Sequence, residues 1–179
     1  SDAVVNGDIA LSANAILNVT NNTLATGGDI TIGSGAELNL SDNSILEVSN
    51  GKTITNTGTL QVTGSDGAAA TITHNSAGNF SIVQNDAGAT FKASNYAFAY
   101  CNITISSGTV DGTHNLKNGS FSNGSGNEYL NLDGFANDIN TQLISFENGP
   151  TYNIRKTNGA GIITITGALG DLAGEDHDQ

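Results

Sequence analysis

Apolar residues in this chain recur in pairs, and the members of each pair are two positions apart. Between Asp29 and Val62 the pairs are Ile30/Ile32, Leu38/Leu40 and Leu46/Val48, then Ile54 alone, then Leu60/Val62. A polar residue separates the two members of each pair, so both point to the same side of an extended strand. Successive pairs begin about eight residues apart, and Gly, Ser, Asn and Asp fill the gaps. These residues suit left-handed and Asx turns.

A longer period lies over the short one. Ile9 to Ile30, Leu17 to Leu38, Leu24 to Leu46, Ile30 to Ile54 and Leu38 to Leu60 are spaced by about 21 to 24 residues. The later half is read the same way, with Phe80 to Ile103, Val110 to Leu130, Phe121 to Ile144, Leu132 to Ile154 and Ile144 to Ile165. Three short strands per period, joined by tight turns, describe one coil of a solenoid.

The pattern therefore predicts an all-β fold: a right-handed parallel β-helix (β-solenoid) of about eight coils, each of 21–24 residues with three short strands. The hand follows from the strong preference of parallel crossovers. No segment keeps a 3.6-residue spacing over three turns, which argues against a βαβ architecture. An antiparallel sandwich has longer strands and no fixed coil period. The expected organisation is one β-helix over residues 1–170 followed by an acidic tail at 171–179. The pattern loosens between about Ser65 and Asn102, which predicts a local irregularity within one domain. Asn-Gly steps at Asn50, Asn118, Asn123, Asn148 and Asn158 are expected to supply left-handed corners, and stacked Asn side chains to form ladders.

Composition narrows the function. Only 12% of residues are charged, the net charge is -12, and Lys and Arg together number five. Such a surface repels phosphate backbones, so nucleic acid is not an expected partner. No apolar run approaches the length of a membrane-spanning helix, and membrane insertion is not expected. Asn-x-Ser/Thr sequons, Asn18, Asn79 and Asn118 among them, occur at the frequency this composition produces by chance, so they predict no glycosylation. Cys101 is the single cysteine. It is expected to be a small buried residue, since no Cys-His arrangement is visible.

The segments ITIGSGAELNLSDNSILEVSNGKTITNTGTLQV and FSNGSGNEYLNLDGF…ISFENGPTYNIRKTNGAGIITITGALGDLAGED resemble the β-helical repeat regions of large secreted bacterial surface proteins. These include autotransporter passengers and haemagglutinin-type adhesins. The resemblance covers most of the chain, rests on repeat style, and transfers no functional residue. It implies export, a surface or matrix role, and often membership of a longer polypeptide.

Candidate chemistry was weighed against that background. Asp111 and Asp133 are about one coil apart, His114 is near Asp111, and Arg155 and Lys156 follow one coil later. This is the best catalytic constellation for a polysaccharide-cleaving β-helix. The paired Asp with Gly-His-Gly and Arg-x-Lys of such enzymes is absent, and both Asp residues precede Gly, so turn capping is the preferred reading. Asp171, Glu175, Asp176, Asp178 and His177 offer hard ligands for Ca²⁺, but without EF-hand spacing a solvated tail is preferred. Tyr96, Phe98 and Tyr100 alternate with small residues. They form either an external platform for sugar rings or a partner, or an internal stack, and the internal stack is preferred. Thr-x-Thr steps at Thr53/Thr55, Thr71/Thr73 and Thr164/Thr166 do not fall on consecutive coils, so a water-ordering Thr face is not expected.

No catalytic, cofactor or metal residue is assigned. The expected function is that of a non-catalytic extracellular structural protein: a fibre subunit or adhesin stalk segment that assembles by solenoid stacking. The alternative is a carbohydrate-binding or polysaccharide-degrading module. The first and last repeats show no capping helix, so the expected partners are neighbouring solenoid segments or further copies at the open ends. Extracellular polysaccharide or a host surface is a further expected partner.

Overall fold

The computed structural model describes residues 2–170. Among them there is no helix; twenty-two short strands wind through seven turns, and the last strand opens an eighth. The first turn carries β1 (Ala3–Val5), β2 (Ile9–Leu11) and β3 (Ile16–Val19). The second carries β4 (Thr23–Thr26), β5 (Ile30–Ile32) and β6 (Glu37–Leu40), and the third β7 (Ile45–Val48), β8 (Thr53–Asn56) and β9 (Thr59–Thr63). The fourth has β10 (Ala70–His74), β11 (Phe80–Gln84) and β12 (Thr90–Ser94), and the fifth β13 (Tyr96–Ala99), β14 (Cys101–Ile105) and β15 (Thr109–Lys117). The sixth has β16 (Gly119–Ser122), β17 (Glu128–Asn131) and β18 (Ile139–Gln142). The seventh has β19 (Ile144–Glu147), β20 (Tyr152–Arg155) and β21 (Ile163–Thr166), before β22 (Leu169–Gly170).

Each turn gives one strand to each of three faces, and all paired strands are parallel. The first face runs β1-β4-β7-β10-β13-β16-β19-β22 and the second β2-β5-β8-β11-β14-β17-β20. The third runs from β3 to β15 and breaks; β18 and β21 then pair with each other alone. Seven turns at about 4.8 Å each give a column roughly 34 Å long.

The core is a set of stacked side-chain columns. Leu24, Leu46, Ile72, Phe98, Phe121 and Phe146 occupy equivalent positions on the first face. Ile30, Ile54, Ile82, Ile103 and Leu130 do so on the second. Ile30, Leu38, Leu46, Ile54 and Leu60, all expected inside, are fully buried. Each such side chain contributes about 1.5–3 kcal/mol by leaving water. The core changes character along the column, from aliphatic to aromatic. Phe98 lies 5.6 Å from Phe121, and Phe121 stacks on Phe146 at 5.4 Å.

All five pairings expected in the first half are formed. Those of the second half are corrected. Phe80 sits opposite Cys101, Phe121 opposite Phe146, and Leu130 rather than Leu132 opposite Ile154, each two residues from expectation. Val110 belongs to the third face opposite Phe91, and Ile165 pairs with Thr141 rather than Ile144. The stretch from Ser65 to Asn102 is regular in its strands; its turns are longer. The coil offset reaches 31 residues between Leu60 and Phe91, and a small antiparallel bridge joins Ser65 to Ala68 in one of these turns.

Corners follow the composition. Asn95 and Asn118 are single-residue links from the third face to the first, both with φ near +50°. At Asn118, Asn123 and Asn148 the Asn is the left-handed residue, whereas at the Asn50 and Asn158 steps it is the following Gly. The glycines after Asn118 and Asn148 have a separate role. A Cβ on Gly119 would enter the Tyr96 ring, and one on Gly149 the Tyr129 ring. The expected Asn ladder is present at the Asn21 corner, where the Asn43 amide donates to the Asn21 carbonyl at 3.4 Å.

Candidate functional site

The aromatic row does not form an outer platform. Tyr96 and Phe98 are 2% and 1% exposed and point into the column. The Tyr96 hydroxyl donates to the Leu116 carbonyl at 3.1 Å, and burial pushes its pKa well up. Tyr100 departs from the alternation because it is a corner residue with φ of 61°, linking β13 to β14. Its ring lies 3.8 Å from that of His74. Cys101 is buried, and burial raises its thiol pKa.

The acidic candidates do not share a partner. Asp111 lies within β15 on the third face, where its Oδ1 accepts the backbone N–H groups of Thr113 (2.9 Å) and His114 (2.7 Å). The same oxygen lies 3.0 Å from the His114 Nδ1. The backbone N–H of His114 is the main reason that the carboxyl pKa is lowered. Asp133 follows β17 in the turn leaving the second face. It accepts from the Thr157 hydroxyl and from the Asn158 side-chain amide (2.8 Å), and these bonds lower its pKa, Thr157 most. Arg155 adds a weaker charge effect on Asp133. Lys156 is held by the carbonyls of Phe135, Asn158 and Gly159 at 2.8–3.1 Å. Asp111 caps its own local turn, whereas the Asp133 carboxylate bonds side chains of the next coil.

Other acidic side chains tie one coil to the next. Asp2 accepts the Thr23 N–H, Asp8 that of Asp29, Asp29 that of Thr53, and Asp138 that of Ile162, at 2.8–3.0 Å. Asp171, Glu175, Asp176, His177 and Asp178 lie outside the described residues. Among the described residues, no group of three or more His, Cys, Asp or Glu is placed to hold a metal ion.

A surface concavity lies where the third face breaks. Within β15 the register against β12 shifts twice, so Phe91 pairs with Val110 but Ala93 with Asn115. The extra residues bulge, and the ladder to β18 is lost. Leu116 closes the bulge in the left-handed region, with φ of 63° and its side chain buried. Side chains replace part of the missing ladder: the Thr141 hydroxyl donates to the Leu116 carbonyl at 2.7 Å, and the Asn115 amide donates to the Asn140 carbonyl. What remains is a groove of about 360 Å³ across β15, β18 and β21. Asn115 and Lys117 line one side, Asn140 and Gln142 the middle, and Thr164 and Thr166 the other side. The sequence pattern marks Thr164 and Thr166 but not the groove. The available signal was the polar run from Asp111 to Asn115, which interrupts the strand alternation.

Comparison with protein-family models, with curated proteins and with solved structures gives no match to this chain.

Proposed function

We propose that this chain is a non-catalytic structural segment of an extracellular fibre or adhesin stalk, extended by solenoid stacking. The carrying observation is the set of Asp side chains that bond backbone amides of the next coil, at Asp2, Asp8, Asp29 and Asp138. These bonds reinforce parallel ladders that already run along the column axis. A side-chain carboxylate that accepts a backbone N–H gives a charge-assisted bond, stronger than a neutral one. These acidic residues are thereby used to hold coils together, and Asp133 joins its turn to the next coil through Thr157 and Asn158. A column bonded along its length suits load-bearing and spacing, and its coil edges present the same donors and acceptors that pair inside it.

Light scattering and electron microscopy of the purified chain across concentration test this reading. The expected result is rods that lengthen by end-to-end contact. A particle that stays monomeric at every concentration would sink the stacking proposal. Cleavage of pectin or alginate that disappears in Asp133→Asn would overturn the non-catalytic one.

A further inference from the structure

We propose that the groove at the break of the third face binds an uncharged polysaccharide through its hydroxyl groups. Its lining is rich in side chains that both donate and accept. Asn140 and Gln142 carry amides, Thr164 and Thr166 carry hydroxyls, and sugar hydroxyls have the same dual character. Asn140 is paired in register with Thr164, and Gln142 with Thr166. The exposed faces of these strands therefore form two polar rows about 4.8 Å apart. Lys117 is the single charged residue of the lining, and the lining has no carboxylate to take a cation.

Asn115 fixes the edge of the groove against β18. Its amide nitrogen is used on the Asn140 carbonyl, while its Oδ1 is buried without a hydrogen-bond partner. The backbone around the groove is also held in an unusual form. Leu116 and Leu143 are both left-handed, at φ of 63° and 54°; Leu116 lies within β15 and Leu143 directly follows β18. Bulky residues rarely occupy that region, and such outliers concentrate at binding sites. Turning Leu116 inwards leaves Asn115 and Lys117 both on the groove side.

Charge selects the ligand class. With a net charge of -12 the chain repels acidic polymers, so uronate-rich polysaccharides are disfavoured. The lining contains no aromatic ring for a sugar to stack on, so binding at this groove is weak and rests on hydrogen bonds. This binding is independent of end-to-end assembly.

The test is an amide-resolved NMR titration of the chain with maltoheptaose, laminarihexaose, cellohexaose and mannohexaose, with an alginate oligomer as the acidic arm. The expected result is shifts confined to residues 112–117, 139–142 and 163–166 with at least one uncharged oligosaccharide. These shifts should be lost in a Gln142→Ala/Thr166→Ala double variant. Both residues are exposed, so the variant should keep the parent's spectrum elsewhere and its melting temperature. No shift with any uncharged oligosaccharide, binding of alginate alone, or shifts mapping to another face would each overturn the proposal.

Discussion

The side-chain amide of Asn56 donates to that of Gln84 at 2.7 Å, inside the column and out of reach of water. Asn56 also donates to the Thr90 carbonyl at 3.0 Å and accepts the Gly58 N–H at 3.2 Å. Gln84 donates onward to the carbonyls of Ser107 and Thr109. The pair thus bridges the third, fourth and fifth coils. Asn56→Ala should cost about 1–3 kcal/mol, because it strands the Gln84 acceptor. Urea unfolding of Asn56→Ala, Gln84→Leu and the double variant checks this. The double variant should lose less than the sum of the singles, and strict additivity would show that the amides do not interact.

Gly119 illustrates a corner whose residue type is set by packing. It adjoins the left-handed Asn118, yet its own constraint is the Tyr96 ring lying against its Cα. Gly119→Ala should destabilise by about 1–3 kcal/mol through overpacking. The same change at Gly51 is also costly, but for backbone reasons, since Gly51 has φ of 71° with open space around it. Pairing each with a Tyr96→Leu background separates the two causes. Tyr96→Leu should relieve Gly119→Ala and leave Gly51→Ala unchanged in thermal unfolding.

Leu143 occupies the corner that Asn95 and Asn118 fill in earlier coils, with φ of 54° and a side chain 54% exposed. A leucine there carries the left-handed penalty with little burial in return. Leu143→Asn should therefore stabilise the fold by about 1 kcal/mol. A lowered melting temperature would show that Leu143 packs in a way its exposure does not suggest.

Acid should loosen the bulge in β15. The folded state holds the Asp111 pKa below its ordinary 3.8, chiefly through the His114 N–H. Its contribution is complete above 3.8 and is lost as pH falls through the lower folded-state value. Asp111 is partly exposed, so the effect is modest. Stability measured from neutral pH to below pH 3.8 should fall for the parent and fall less steeply for Asp111→Asn. Parallel curves would show that Asp111 contributes nothing to the acid limb.

The solenoid was legible because its signal is local and repeated. Leu24, Leu46 and their equivalents sit in strands separated by short Gly/Asn turns, so counting along the chain reproduces the stacking. The count fails after Leu60 for two physical reasons. Long turns shift the coil offset, and each strand offers two inward residues, such as Phe80/Ile82 and Ile144/Phe146, so an error of two residues leaves the pattern intact. The groove was hidden for a different reason. It arises from a pairing that is missing between β15 and β18, and a missing long-range contact leaves no periodic trace. Only Asp111, Gly112 and Thr113, polar where the alternation calls for an inward residue, mark the place.

The same break divides the molecule energetically. Through the first five coils each coil is clamped to its neighbours by three ladders. The step from the fifth to the sixth coil is carried by two, with Asn115 and Thr141 side chains bridging the third. In a linear array, stability is close to a sum of neighbour terms, and the weakest junction sets where cooperativity ends. Coils six and seven therefore form their own opening unit. Amides of β18 and β21 should exchange with solvent through a partial opening at lower free energy than the amides of Ile30, Ile54 and Leu60.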